Sequence, residues 1–65
     1  MSINPSQISE DIKRVGARNV RIVPTDDKYQ IEIMENGTWR AITDGLSMKM
    51  ASKLVNEATN KVILG

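Results

Sequence analysis

The sequence predicts an α+β domain in which a three-stranded antiparallel sheet carries two helices packed on one face. Apolar residues recur at helical spacing near both ends of the chain and alternate with polar residues through its middle. Turn-forming dipeptides divide the alternating stretch into three strands. A length of 65 residues allows one domain, residues 1–65, with the element order helix, strand, strand, strand, helix.

The first helix is predicted for residues 5–15. Asn4 is a favoured N-cap residue, and Pro5 is a favoured first residue of a helix. The apolar stripe, spaced i, i+4 and i+7, consists of Ile8, Ile12 and Val15. Gly16 supplies a left-handed stop at the C-terminal end.

Three strands are predicted for residues 18–24, 29–34 and 38–43, because apolar and polar side chains alternate in each. Pro24 is expected to end the first strand, since proline cannot donate to the hydrogen-bond ladder. The pair Asp44-Gly45 is expected to break the third strand.

A second helix is predicted to begin after Ser47, a favoured N-cap residue. Leu46 and Ala51 are spaced to form a hydrophobic staple around that cap. The predicted buried stripe of this helix consists of Ala51, Leu54, Val55, Ala58 and Val62.

The direction of Trp39 depends on the loop that precedes it. A two-residue turn of type I′ at Asn36-Gly37 pairs Met34 with Trp39 and leaves both on the open face of the sheet. A three-residue loop that begins at Glu35 shifts the register by one residue and turns Trp39 into the core. Turn statistics favour the first arrangement. Core filling favours the second, which we expect, because the chain has no Phe and a small domain needs its large aromatic side chain.

The composition excludes several function classes. Without Cys or His, the chain can form no disulfide, no zinc site of the Cys/His kind and no Ser-His or Cys-His catalytic pair. No glycine-rich phosphate loop is present, and Asp26-Asp27 is typical of a solvated turn rather than a metal site. We therefore expect no enzymatic activity, no metal, no cofactor and no small-molecule substrate.

The chain also has no long apolar stretch. No run approaches the roughly 20 apolar residues that span a bilayer, and "MSINPSQISE" lacks the pattern of a signal peptide. The absence of cysteine is compatible with a reducing compartment. We expect a cytoplasmic protein without membrane contact.

Basic residues cluster between the first helix and the first strand. Lys13 and Arg14 complement the C-terminal dipole of that helix, which gives them a structural role. Arg18 and Arg21 have no such explanation. The functional alternative is a modest surface for phosphates or for an acidic protein.

The candidate protein-binding surface follows from the exposed alternative for Trp39. Arg21, Met34 and Trp39 then share the open face of the sheet, with Arg14 and Arg18 at its edge. Tryptophan, methionine and arginine are enriched at the centres of protein interfaces. Met48 and Met50 form a second candidate surface, unless they fill the edge of the core.

The stretch "GLSMKMASK" (45–53) is similar to the glycine-serine-lysine-lysine-x-alanine-lysine signature of the double-stranded RNA-binding domain, which has the same order of helices and strands. Lys49 matches a lysine of that signature, and Lys53 lies one place beyond another. The resemblance implies that the start of the second helix contacts duplex phosphates, with Lys13 and Arg14 as further contacts.

The sequence departs from this family at two places. Met48 and Ser52 stand where the family has lysines. The family's Gly-Pro-x-His loop is replaced by "VPTDDKY", in which Asp26 and Asp27 would repel phosphate. Duplex nucleic-acid binding is therefore the second hypothesis.

The first hypothesis is a non-enzymatic binding module that contacts another protein or self-associates. The short chain, its explicit helix caps and its lack of catalytic side chains resemble small accessory or inhibitor proteins of bacteriophages. That resemblance rests on size and composition and includes no shared motif.

Overall fold

The computed structural model describes residues 4–59 and confirms the predicted α+β class. The elements are α1 (Pro5–Val15), β1 (Val20–Thr25), β2 (Lys28–Glu35), β3 (Thr38–Leu46) and α2 (Met48–Thr59). A single 3₁₀ turn, Ala17–Asn19, joins α1 to β1. The three strands are antiparallel in the order β1-β2-β3, so β2 is central and the other two are edge strands. Both helices pack on one face of this sheet.

The two ends of α1 are capped by the predicted residues. The Asn4 side chain accepts hydrogen bonds from the backbone N–H groups of Ser6 and Gln7, at 3.1 and 3.2 Å. At the other end, the Gly16 N–H donates to the Ile12 carbonyl at 2.8 Å. Gly16 has φ 90° and ψ 158°, which is an extended conformation and not the predicted left-handed helical one. Only glycine adopts this region readily.

The first strand begins later than predicted. The Asn19 side chain donates to the Val15 carbonyl at 2.9 Å, and its backbone N–H donates to the Gly16 carbonyl at 3.0 Å. These bonds hold the chain in the 3₁₀ turn, so the strand starts at Val20. Arg18, which was expected in the strand, lies in that turn instead.

The predicted ends of β1 and β3 are also wrong. β1 continues through Pro24 to Thr25, and an edge strand tolerates proline because one side of its ladder is unpaired. β3 continues through Asp44-Gly45 to Leu46.

β3 reaches this length by means of two bulges. One extra residue, Ile42, lies between the partners of Ile31 and Glu32. A second irregularity falls between Thr43 and Leu46. Because a bulge re-aims the side chains around it, Ile42 and Leu46 both pack against the core.

The core lies between the sheet and the two helices and is built from aliphatic side chains. Its buried members are Ile8, Ile12, Ile31, Ile33, Leu46, Ala51, Leu54 and Ala58. Half-buried Val20, Ile22, Tyr29, Ile42 and Val55 pack around them. Ser47 caps α2 as predicted, since its hydroxyl accepts the Met50 N–H at 3.1 Å. Val62, the last predicted member of the α2 stripe, lies outside the described residues.

The hairpin between β2 and β3 decides the direction of Trp39. Met34 pairs with Trp39, and both loop residues have positive φ, 54° at Asn36 and 78° at Gly37, as a type I′ turn requires. The expectation that Trp39 lies in the core is therefore wrong. Trp39 is half-buried on the opposite face of the sheet.

Trp39 lies outside the core because the local turn chemistry sets the hairpin register and because other apolar side chains fill the core. Asn and Gly adopt positive φ at low cost, which makes the two-residue loop favourable. Leu46 and Ile42 supply apolar volume that Trp39 would otherwise have provided. Both reach the core because β3 is longer and more bulged than its sequence indicates.

Candidate functional site

The candidate site is the sheet face opposite the helices, which we call the open face. It is defined by the side chains in the middle of the strands that alternate with the core residues: Arg21, Val23, Gln30, Glu32, Met34, Trp39 and Ala41. Within residues 4–59, both helices pack on the other side of the sheet. The open face is therefore the large sheet surface that these elements leave available for contact.

A stacked pair of side chains crosses the middle of the open face. The guanidinium carbon of Arg21 lies 4.1 Å from the centroid of the Trp39 ring. Arg21 belongs to β1 and Trp39 to β3, so the two side chains meet across the central strand. Met34 lies directly opposite Trp39 on that strand. A cation–π contact of this kind favours the observed arrangement of both side chains.

A hydrogen-bonded chain fixes Arg21 from the other side. Its guanidinium donates to one carboxylate oxygen of Glu32, from Nε at 2.8 Å and from Nη2 at 2.7 Å. The Gln30 side-chain amide donates to the second oxygen at 2.6 Å. The hydrogen bonds from Arg21 and then Gln30, together with the charge of Arg21, lower the pKa of Glu32 and outweigh the opposing effect of burial.

The hydrogen bonds among Arg21, Glu32 and Gln30 also determine the charge at the centre of the open face. Arg21 and Glu32 are the charged members of the defined set, and they neutralise each other. The remaining members are apolar, apart from Gln30. The centre of the open face is therefore ordered and electrically neutral and carries an aromatic ring, while exposed Lys28 lies at the end of β2 on the same face.

Arg14, which was expected at the edge of this surface, belongs to a different group of charges. Its guanidinium contacts the Asp11 carboxylate at 2.9 Å and also the carboxylate of Glu35. Glu35 in turn accepts a hydrogen bond from Arg40 at 2.7 Å. This network ties α1 to the β2–β3 hairpin on the helix-covered side, so Arg14 does not extend the open face.

The remaining predicted cations are exposed. Arg18 lies in the 3₁₀ turn, Lys13 on α1, and Lys49 and Lys53 one turn apart on α2. Within the part of the chain that the structure describes, none of these four forms an ion pair. Arg14 is held by carboxylates, so the set expected to contact a duplex is reduced to its three lysines.

Met48 and Met50 do not fill the edge of the core. Their exposed fractions are 50% and 46%, at the start of α2. They flank the buried stripe of that helix and lie away from the open face. They remain a separate apolar surface feature.

Other kinds of site find little support among residues 4–59. No group of three or more potential metal ligands occurs in this range. Asp26 and Asp27 form the exposed two-residue turn between β1 and β2. No helix within the described residues is long and apolar enough to cross a membrane.

Sequence reasoning overlooked Glu32 and Gln30, which organise the centre of the open face. Both alternate with Ile31 and Ile33 on the most regular strand of the sequence, and this alternation predicts that Gln30 and Glu32 share a face. The sequence does not show the strand register, and only the pairing of β1 with β2 sets Arg21 opposite Glu32.

Comparisons of the chain with protein-family models, curated proteins and solved structures gave no match.

Proposed function

We propose that the protein is a non-enzymatic binding module whose open face contacts another protein surface, either that of a partner or that of a second copy. The observation that supports this most is the Arg21–Trp39 stack beside Met34. Side chains of these three types are enriched where protein interfaces bury the most surface, and Trp and Arg are common hot spots. Because both are already ordered, binding would cost less conformational entropy.

The proposed setting is that of a small bacteriophage accessory or inhibitor protein acting in the cytoplasm. A chain of 65 residues without Cys or His suits a role performed by contact alone. Such a protein would act by occupying a surface on its target.

A site-specific photo-crosslinker tests this proposal directly. Ala41 is exposed on the open face, and Asn56 is exposed on α2 and serves as the matched control. With p-benzoylphenylalanine at either position, we expect protein adducts from position 41 and far fewer from position 56 in a bacterial extract. Adducts from position 56 alone would contradict the proposal, because they would place the contact on the helices.

Duplex nucleic-acid binding is the second candidate, and one observation favours it. Lys49 and Lys53 are exposed one turn apart at the start of a helix and form no ion pair within residues 4–59. A mobility-shift assay with duplex RNA distinguishes this candidate from the first. Binding through these lysines should weaken steeply with salt, by roughly one power of salt concentration per phosphate neutralised.

The matched variants are Lys49→Ala with Lys53→Ala, and Trp39→Ala. A shift that salt and the lysine variant abolish, but Trp39→Ala does not, would favour the second candidate. No shift at low salt would leave the open face as the contact surface.

A further inference from the structure

We propose that the open face is occupied by a second copy of this chain, forming a two-fold symmetric, face-to-face dimer. This inference rests on the proposed function and names the partner of the same surface. It is carried by the charge pattern of the face, by the net charge of the chain and by the apolar side chains beside the charge pair.

The charge pattern of the open face is complementary to itself. Arg21 and Glu32 lie directly opposite each other on neighbouring strands and are joined at 2.7 Å. A two-fold axis passing between them places the Arg21 of one copy over the Glu32 of the other, and the reverse. The four charges then alternate around a ring, so that each guanidinium has two carboxylate neighbours.

The same ring would suit few other partners as well. A strongly acidic or basic partner would meet one of these two charges with a like charge. A second copy meets both with opposite charges. The formal net charge of the chain is only +1, so two copies repel each other weakly.

The apolar members of the open face surround this charge pair. Trp39 and Met34 lie on one side of it along the strands, and Val23 lies on the other. The two-fold axis runs parallel to the strands between β1 and β2, so Met34 and its symmetry copy lie side by side next to the central ring. Burial of apolar side chains supplies the attraction, and the charges set the orientation.

The size of the face determines the strength of the dimer. Three strands about 4.8 Å apart, each with about six residues rising about 3.4 Å, give a face of roughly 300 Å² in projection. Stable interfaces bury about 800 Å² of accessible surface on each partner. We therefore expect a weak dimer that dissociates on dilution.

Sedimentation velocity of the purified chain, from about 5 μM to about 1 mM, tests this inference, and the variants Arg21→Glu and Glu32→Arg make the test specific. Each single variant places like charges across the two-fold axis and should remain monomeric. An equal mixture of the two places only opposite charges across it and should form a heterodimer.

Two further samples act as controls. The double variant Arg21→Glu with Glu32→Arg restores both the internal pair and the self-complementary pattern, so it should dimerise, although more weakly than the wild type because Trp39 loses its stacked guanidinium. It also keeps the test valid if the single variants fold poorly. Lys53→Glu and Glu57→Lys reverse exposed charges on α2 and should leave dimerisation unchanged.

The failure of this inference is distinguishable from the failure of the proposed function. A wild-type chain that stays monomeric up to about 1 mM overturns the dimer, while adducts from position 41 to a different protein would still support the binding module. A wild-type dimer that Arg21→Glu leaves unchanged overturns the dimer geometry. If position 41 also gives no adduct in that case, the proposed function fails with it.

Discussion

The two faces of the sheet are built from alternate residues of the same strands and differ in burial and in polarity. On the helix-covered face, Ile31 and Ile33 are fully buried. On the open face, Glu32 lies between them along the same strand and is bonded to Arg21. One face therefore buries the aliphatic core, whereas the other carries the ordered polar and aromatic side chains on which our proposed contact surface rests.

The two faces also differ in that the largest side chain of the protein, Trp39, lies on the open face. The core of this small domain is aliphatic, and its tryptophan is stacked against arginine on the opposite face. The single tryptophan of the chain contributes less to stability outside the core than it would if it were fully buried. The position of Trp39 on the open face supports our proposal that this face is a binding surface.

The largest expected effect comes from the helix-covered face. Ile31→Ala should lower the free energy of unfolding by about 2–5 kcal/mol, because it leaves a cavity at a fully buried position. Met34→Ala, on the same strand but half-buried on the open face, is the matched variant and should cost less than half as much. Urea unfolding measures both, and equal losses would contradict the division between the faces.

Trp39→Ala should have a smaller effect on stability than a core substitution. We expect a loss of about 1.5–2.5 kcal/mol, half the usual value for a buried tryptophan, because the ring is only half-buried. Trp39→Phe keeps an aromatic face for Arg21 and should retain most of the stability. A protein that unfolds completely on Trp39→Ala would place this side chain among the core residues.

Thr43 is a polar side chain on the helix-covered side of the sheet. Its hydroxyl oxygen is buried and has no hydrogen-bond partner among the described residues. Thr43→Val keeps the shape and removes the unpaired group, so it should stabilise the protein by about 1 kcal/mol. Thr38→Val, at an exposed position of the same strand, is the control and should be nearly neutral. A destabilised Thr43→Val protein would mean that the hydroxyl is bonded.

The smallest effect is a pH dependence confined to the open face. Because the pKa of Glu32 is lowered in the folded state, its contribution is complete above its ordinary pKa of 4.5. That contribution is lost as the pH falls from 4.5 through the lowered folded value. Glu32→Gln should be less stable than the wild type near neutral pH, and this difference should shrink in acid. A difference that stays constant between about pH 6 and about pH 3 would contradict the ion pair.

Much of the fold could be predicted because its signals are local. Asn4, Ser47 and the alternation through β2 each act within a few residues, and they gave the correct elements in the correct order. The bulges of β3 could not be predicted, because they depend on how that strand packs against the helices. Without these bulges the core lacks the apolar volume of Ile42, and this led to the wrong expectation that Trp39 fills it.

The candidate site was predictable only in its residue types. Arg21, Met34 and Trp39 were identified as a group, but their geometry required the register of both strand pairs. The ion-pair partner of Arg14 could not be predicted from the sequence, because Glu35 is 21 positions away along the chain.

The most direct test of the account is the nuclear Overhauser spectrum of the Trp39 indole in the isotopically labelled protein. We expect contacts from the ring protons to the side chains of Arg21 and Met34, and a close approach of the Met34 and Trp39 Hα protons across the strands. Contacts from the ring to Ile12 or Leu54 would place Trp39 in the core. That result would contradict the register of the hairpin and remove the open face as a binding surface.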